Sequence, residues 1–424
     1  MFRKIYSLIS LWLLKLYKGI KPAIEFYKDG VDRKLYDLIP CDYWDAEKTT
    51  IDYLTKDLIS LYQVIRKFSG NLWLNHKIHL STSRTISSLA FKIYLSSNRF
   101  YKNNIPLIRD KTVYDDIRKS YFGGITEVYK PEGKDLYYYD VNSLYPYAAL
   151  NPMPGCIASY DNNINTRIDK DSDLFGFFYC EIQTSNLYYG LLPYHSNGII
   201  MPNGAWRWWY FSEELKFAAL HGYSITVIKG YYFNQEIDVF KEYVNHFYKI
   251  KSTTKNMVEK QVSKSLLNNL IGRFGLNIHK TYTELLSTES FKDLVMTKKV
   301  LNFNAIGELY LVNYMNKIDR KICQESGVDY RNTLINDIKD KKIQEECFDD
   351  VSIAIASAVN SYARIFMNKV KLALLKKGGS VYYTDTDSLV TDIPLEPELV
   401  GNELGQFKLE YRVAKAYFVS NKTF

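Results

Sequence analysis

Tyr383-Thr384-Asp385-Thr386-Asp387-Ser388 stands between two short β-rich runs, Ser380-Val-Tyr-Tyr383 and Ser388-Leu-Val-Thr-Asp392. The pattern predicts a hairpin whose tight turn presents two carboxylates at one apex, although a solvated polar turn reads the same way in isolation. A second run, Leu136-Tyr-Tyr-Tyr-Asp140-Val141, also ends on a carboxylate and passes into helix-compatible residues from Ser143. If these strands pair, Asp140, Asp385 and Asp387 converge. Their repulsion must then be relieved by protonation or by a divalent cation. Oxygen donors without His or Cys suit Mg²⁺ or Mn²⁺, and two such ions suit in-line phosphoryl transfer.

A third stretch, Lys260-Gln-Val-Ser-Lys264-Ser-Leu-Leu-Asn268-Asn-Leu-Ile-Gly272, places Lys260, Lys264 and Asn268 on one helical face. Like charges four residues apart are mildly destabilising unless an anion lies across them, and a triphosphate would serve. A solvated basic face is the plainer reading of such a run. The adjoining apolar residues and Gly272 favour a buried, shaped surface.

The rest of the 424-residue chain bounds these readings. Its composition, 46% hydrophobic and 24% charged, is that of a globular protein of two or three domains and excludes wholesale disorder. A net charge of +8 favours a polyanionic partner but equally suits a mitochondrial protein or a membrane surface. The 37 tyrosines fit an AT-rich coding bias as well as a stacking surface. Cys41, Cys156, Cys180, Cys323 and Cys347 are scattered, which excludes a disulfide scaffold, and His76 with His79 lacks the neighbours a zinc site needs. Residues 5–14 are apolar with basic flanks but too short to span a bilayer. They read as a transit peptide or, preferably, as a helix packed on the adjoining domain.

Amphipathic helices are expected over 46–68 and 81–94, a β-rich segment over 156–235, and helices over 237–272. A charged, irregular insertion is expected over 280–347. A long helix is expected over 351–375, stopped by Gly378-Gly379.

The three motifs, in this order, resemble those of the family B DNA polymerases, and of their protein-primed branch in phages, adenoviruses and linear mitochondrial plasmids. Asp140-Val-Asn-Ser-Leu-Tyr-Pro146 matches the first palm motif, DxxSLYP. Lys264 to Gly272 matches the fingers motif KxxxNSxYG in part, and Tyr383 to Ser388 matches YxDTDS. Tyr121-Phe-Gly-Gly124 is similar to the YxGG loop, Asn360-Ser-Tyr-Ala-Arg364 to a primer-contacting segment, and Lys422-Thr-Phe424 to KxY. Tyr53-Leu-Thr-Lys-Asp57 resembles the third exonuclease motif, YxxxD.

The resemblance implies an α+β fold, an antiparallel palm sheet with helices and helical fingers. It implies an exonuclease remnant over 1–115, palm over 116–155, an insertion with palm over 156–236, fingers over 237–279, a second insertion over 280–348, palm over 349–410, and the start of a thumb over 411–424. By the same resemblance Asp140 and Asp387 hold two Mg²⁺ or Mn²⁺ ions with the carbonyl of Val141, and Asp385 is an accessory carboxylate. Ser143, Leu144, Lys260 and Lys264 take the triphosphate, Tyr145 excludes a 2′-hydroxyl, and Asn268 and Gly272 shape the pocket. Tyr121, Gly123, Gly124, Arg364 and Lys422 contact DNA. The implied partners are template-primer DNA, deoxynucleoside triphosphates and a terminal protein primer, with no membrane, and the implied setting is a linear plasmid or organellar element in the mitochondrion.

Departures qualify this. Asn269 and Ile271 replace the Ser and Tyr of the fingers motif, and Phe424 replaces the Tyr of KxY. The chain begins after the place of the first two exonuclease motifs and stops where the thumb would start. Tyr53 and Asp57 are therefore expected to be remnants without proofreading, and duplex grip is expected to be weak. The competing expectation is an inactive relic that at most binds nucleic acid. An RNA-synthesising nucleotidyltransferase is disfavoured by Tyr145.

Overall fold

The computed structural model describes residues 44–339 and 352–423, together with Lys18 and Gly19, apart from 84, 102–104, 107, 109, 170, 185–186, 197 and 278–280. The apolar run at 5–14, Cys41, Cys347 and Phe424 lie outside the described residues. The chain forms two compact units, Met1–Ser83 and Arg84–Phe424. The division therefore falls after Ser83 and not near residue 115.

In the first unit, helix α1 (Ala46–His76) extends the expected helix by two further turns. The second unit opens with α2 (Ile86–Ser96) and α3 (Lys111–Lys119). Strands β1 (Thr126–Val128) and β2 (Glu132–Val141), the short helix α4 (Leu144–Ala148) and β3 (Met153–Asp161) follow. Next come β4 (Gly176–Gln183), β5 (Ala205–Phe211), α5 (Ser212–Leu220) and β6 (Ser224–Glu236). Helices α6 (Lys241–Thr253) and α7 (Met257–Phe274) form an antiparallel pair.

The segment read as irregular is ordered among its described residues. It comprises β7 (Thr281–Ser287), α8 (Thr288–Thr297), β8 (Lys298–Ile306), β9 (Leu309–Ile318), α9 (Arg320–Glu325) and α10 (Tyr330–Lys339). Its strands pair in the order β7-β9-β8. The chain closes with α11 (Ile353–Lys376), β10 (Val381–Asp385), β11 (Ser388–Thr391) and β12 (Phe407–Tyr417).

Two antiparallel sheets frame the second unit. The first has the order β12-β2-β11-β10-β1, which brings the two carboxylate-bearing runs together as neighbours. The second contains β5-β4-β6-β3, and its inner face packs Phe178, Cys180, Ile182, Tyr210, Ile225 and Val227 against Leu215 of α5 and Ile365 of α11. Helix α11 ends as its glycines demand: Gly378 takes φ +79°, and the Gly379 amide donates to the Leu374 carbonyl at 3.0 Å.

Some of the tyrosines are structural. Tyr94, Tyr210 and Tyr243 are fully buried, and their hydroxyls donate to the carbonyls of Val239, Pro193 and Leu266. A buried phenol with its hydroxyl satisfied keeps the packing benefit of the ring without an orphan polar atom.

One buried ion pair ties α5 to α11. Arg364 Nε donates to Glu214 Oε1 at 2.6 Å and Nη2 to Oε2 at 2.8 Å, with the two side chains 5% and 1% exposed. Removing one partner of such a pair strands the other charge, at a cost of about 3–5 kcal/mol. We expect Arg364→Met to lower the melting temperature sharply and Arg364→Met with Glu214→Leu to recover most of the loss. Thermal unfolding followed by circular dichroism would check this. A double variant no more stable than the single one would contradict it.

Candidate active site

The acidic turn is built by backbone hydrogen bonds. Thr386 adopts φ +56°, the Asp387 amide donates to the Asp385 carbonyl at 2.6 Å, and the Thr386 amide donates to Ile125 O at 2.8 Å. Strand register then sets Ser388 opposite Asp140, and the Val141 amide donates to the Asp387 carbonyl at 2.9 Å. Asp140 and Asp387 are thereby held as cross-strand neighbours. Burial, then the charge of Asp387, push the Asp140 carboxyl up to about 6, with Lys264 and Lys408 opposing. Burial also raises Asp387, with Asp385 adding to it and Lys264 and Lys422 opposing.

Asp385 lies near enough for its charge to raise Asp387, and it has partners of its own. Asp385 accepts from Thr126 Oγ1 at 2.8 Å and lies 3.3 Å from Lys422 Nζ, so its charge is already engaged. Among the described residues no three His, Cys, Asp or Glu side chains form a ready cage. What fits a divalent ion is the pair Asp140 and Asp387: hard oxygen donors, poorly solvated and mutually repelling, with the backbone of Val141 beside them.

Cations face this pair. Lys260, Lys264, Asn268 and Gly272 share one face of α7, as the spacing predicts, but that face is exposed and not buried as expected, because the apolar residues between them turn to the opposite side. A Cβ on Gly272 would meet no atom within 4 Å, so that position borders open space. Lys251 of α6 joins them: its Nζ donates to Ser143 Oγ at 2.9 Å. Burial and the charges of Lys264 and Lys260 lower its pKa, while Asp140 opposes them. Lys408 sits directly opposite Asp140 in register. Sequence reasoning did not single out either residue for the site. Lys251 belongs to a different helix from the Lys260 row, and Lys408 acquires its place only through strand pairing.

Ser143 occupies the left-handed region at φ +58° and caps α4, whose first residue, Leu144, is buried. Tyr145 lines a small cavity with Gly124, Asn360, Arg364, Thr384 and Thr386. Burial raises its hydroxyl to about 12. The departures in the fingers motif have structural uses: Asn269 accepts from Ser87 Oγ at 2.9 Å and donates to Ser265 O, and Ile271 is buried.

Residues 16–371 match the family described as DNA polymerase type B, organellar and viral. The chain belongs to that family. It is 45% identical over 413 residues to a probable DNA polymerase of Podospora anserina, covering 96% of this chain and 34% of the relative. It is 35% identical to a probable DNA polymerase of Neurospora intermedia, covering 87% of this chain and 36% of that one. It thus spans about a third of the length of these curated relatives. In fold it is similar to Phi29 DNA polymerase in an orthorhombic crystal form, with a TM-score of 0.58 at 18% identity over 98% of this chain and 64% of that one. A ternary complex of the same enzyme with primer-template DNA and incoming nucleotides gives 0.57 at 18% identity, covering 95% and 62%.

The remaining expected residues of this type B polymerase chain fall in two groups. Tyr121 packs against Gly275, where a Cβ would stand 2.7 Å from its hydroxyl, and Arg118 lies over its ring at 4.9 Å. Gly123 and Gly124 continue the loop, and a Cβ on Gly124 would stand 2.2 Å from Thr386 Oγ1. Lys422 keeps an exposed side chain near Asp385, and Phe418 before it stacks on Tyr383 at 5.4 Å. Arg364 is different. It is buried and spent on Glu214 and on the carbonyls of Phe122 and Gly123, so direct contact with DNA is replaced by support of the loop from beneath. In the first unit Tyr53 and Asp57 both lie on the exposed side of α1.

The raised carboxyl of Asp140 has a sign that can be tested. Its folded pKa exceeds the ordinary 3.8, so the fold favours the protonated form. The associated stability is complete below about 4 and is lost as pH rises through about 6. A divalent ion binds the ionised pair and should restore that loss. We expect Mn²⁺ to raise the melting temperature at pH 7.5 and to have little effect at pH 4.5. Asp387→Asn should raise the metal-free melting temperature at pH 7.5 and abolish the response to Mn²⁺. Differential scanning calorimetry at both pH values would decide, and an equal Mn²⁺ response at both would exclude the site.

Proposed function

We propose that this chain is a DNA-directed DNA polymerase module that adds deoxynucleotides to a primer 3′-hydroxyl on a template strand. The observation that carries this reading is the placement of Asp140 and Asp387 side by side beneath Lys251, Lys260 and Lys264. Paired carboxylates facing a row of cations suit a metal-bound triphosphate.

In the reaction the primer 3′-oxygen attacks the α-phosphorus, the bond to the β,γ-phosphates breaks, and pyrophosphate leaves. Asp140 and Asp387 would hold two Mg²⁺ or Mn²⁺ ions, which supply activation of the attacking hydroxyl and charge neutralisation at the leaving group. The protein's part is positioning. Lys251, Lys260 and Lys264 would fix the phosphates, and the backbone amides around Ser143 and Leu144 would cradle their oxygens. Tyr145 would exclude a ribose 2′-hydroxyl and so select deoxyribose. Asn268 and Gly272 border the nascent pair. The loop at Tyr121, Gly123 and Gly124 bears the template strand, and Lys422 approaches the primer terminus.

The family's organellar and viral description is compatible with residence in the mitochondrion and with replication of an organellar element; a linear plasmid and priming by a terminal protein belong to the same reading through the motif resemblance alone. A second reading, a chain that binds nucleic acid without extending it, rests on Asp385 being paired with Lys422.

Extension of a labelled primer-template with Mg²⁺ or Mn²⁺, wild type beside Asp387→Asn, separates the two readings. We expect extension by the wild type and a loss of at least about a thousandfold in the variant. Equal extension by both would refute the polymerase reading, and duplex binding without extension by either would support the second. Lys251→Met should raise the nucleotide KM about tenfold, the worth of one charge-assisted hydrogen bond. Tyr145→Ala should improve use of ribonucleotides relative to deoxyribonucleotides by about ten- to a hundredfold. Steady-state single-nucleotide insertion measures both.

A further inference from the structure

Lys371 of α11 is 3% exposed, and among the described residues its Nζ makes one hydrogen bond, to Tyr129 Oη at 3.2 Å. The Tyr129 hydroxyl in turn donates to Glu127 Oε2 at 2.5 Å. Glu127 is the middle residue of β1, a strand of three residues at the sheet edge that pairs, among the described residues, only with β10. Its neighbour Thr126 stands opposite Asp385 in register and donates to Asp385 Oδ1 at 2.8 Å. Strand alternation explains the division: Thr126 faces the carboxylates and Glu127 faces the helix below.

Lys371 also lines the cavity of about 20 Å³ that contains Tyr145, Asn368, Thr384 and Thr386, a volume that admits about one water. Burial lowers its ammonium to about 8, with Glu127 opposing. A buried ammonium with one hydrogen bond is a poor stabilising device, because its desolvation exceeds what a single tyrosine returns. An apolar residue of similar length would pack there at no loss.

We propose that Lys371 is a positioning residue for the Asp385–Asp387 turn, acting through Tyr129 and Glu127 on the edge strand that holds Asp385. The inference deepens the polymerase reading and rests on it. The brace locks a strand too short to hold its own register, and that strand sets the side chain on one flank of the carboxylate pair.

The test counts free Mn²⁺ by electron paramagnetic resonance during titration of the full chain, alongside thermal melts and single-nucleotide insertion. Wild type, Lys371→Met, Glu127→Gln, the double variant and Asp387→Asn are compared. Lys371→Met is expected to melt at or above the wild type, to bind Mn²⁺ about fivefold more weakly, and to insert about tenfold more slowly at unchanged nucleotide KM. Glu127→Gln should reproduce this, and the double variant should be no worse than Lys371→Met alone. Removing a positive charge would by Coulomb's law tighten cation binding, so weaker binding in a folded variant isolates positioning from charge. Unchanged or tighter Mn²⁺ binding in Lys371→Met overturns the proposal. Should that variant not fold, Glu127→Gln, on a partly exposed strand, decides by the same readouts. A wild type that binds no Mn²⁺ overturns the polymerase reading and the brace with it. Binding that Asp387→Asn abolishes while Lys371→Met and Glu127→Gln leave it at the wild-type strength overturns the brace alone.

Discussion

The register between β2 and β11 forces two carboxylates together that would separate if left free. Ser388 opposite Asp140 and the hydrogen bond from the Val141 amide to the Asp387 carbonyl leave neither side chain a way to withdraw without breaking the ladder. Central strands cannot shift by one residue, because every side chain would then change face. The sheet therefore stores a repulsion that its surroundings must offset. They do so from two directions, with Lys264 on helix α7 and Lys408 on the neighbouring strand. An ion or a cationic side chain at this point is an electrostatic requirement of the fold and arises from the backbone before any chemistry is assigned.

Helix α11 carries the opposite problem, a buried polar stripe on an otherwise apolar helix. Ser357, Asn360, Ser361, Arg364, Asn368 and Lys371 recur at spacings of three and four and are all buried. Each meets a group that would otherwise be an orphan or a lone charge. Ser357 donates to the Ser120 carbonyl, Asn360 and Arg364 donate to that of Phe122, and Ser361 and Arg364 serve Glu214. A loop that crosses a core exposes carbonyls without strand partners, and those carbonyls must find donors. The stripe supplies them, which is how the Tyr121–Gly124 loop can be at once irregular and rigid.

Much of this is legible in the sequence, for identifiable reasons. The hairpin, the long helix with its glycine stop, and the Lys260–Gly272 row each depend on periodicity and turn chemistry within one segment. The features that escape a sequence reading depend on contacts between segments. Glu214 stands beside Glu213 in the first turn of α5 and has the same local signature, yet only Glu214 is buried. The segment over 281–339 reads as irregular, and its apolar residues are buried mainly on the central strand. Val312 and Tyr314 are buried there, while Leu301, Phe303 and Ile306 of β8 remain exposed. Arg364 reads as a DNA contact because a cation in a DNA-binding motif suggests a phosphate partner. Its partner is a buried carboxylate on another element, and no local pattern encodes that.

The loop and the acidic turn also form one mechanical unit. The Thr386 amide donates to the Ile125 carbonyl, and Gly124 approaches Thr386 too closely for any side chain. Thr126, two residues on, holds Asp385. Pressure on the loop from a bound strand would thus pass into the turn through atoms already in contact, with no flexible segment to absorb it. The loop is in turn locked from below, since Phe122 is fully buried in the core of the second sheet and its carbonyl is held by two side chains of α11. Close-packed contacts of this kind transmit displacement and do not dissipate it. The geometry of the carboxylates is therefore tied to the seating of the Tyr121–Gly124 loop beside them.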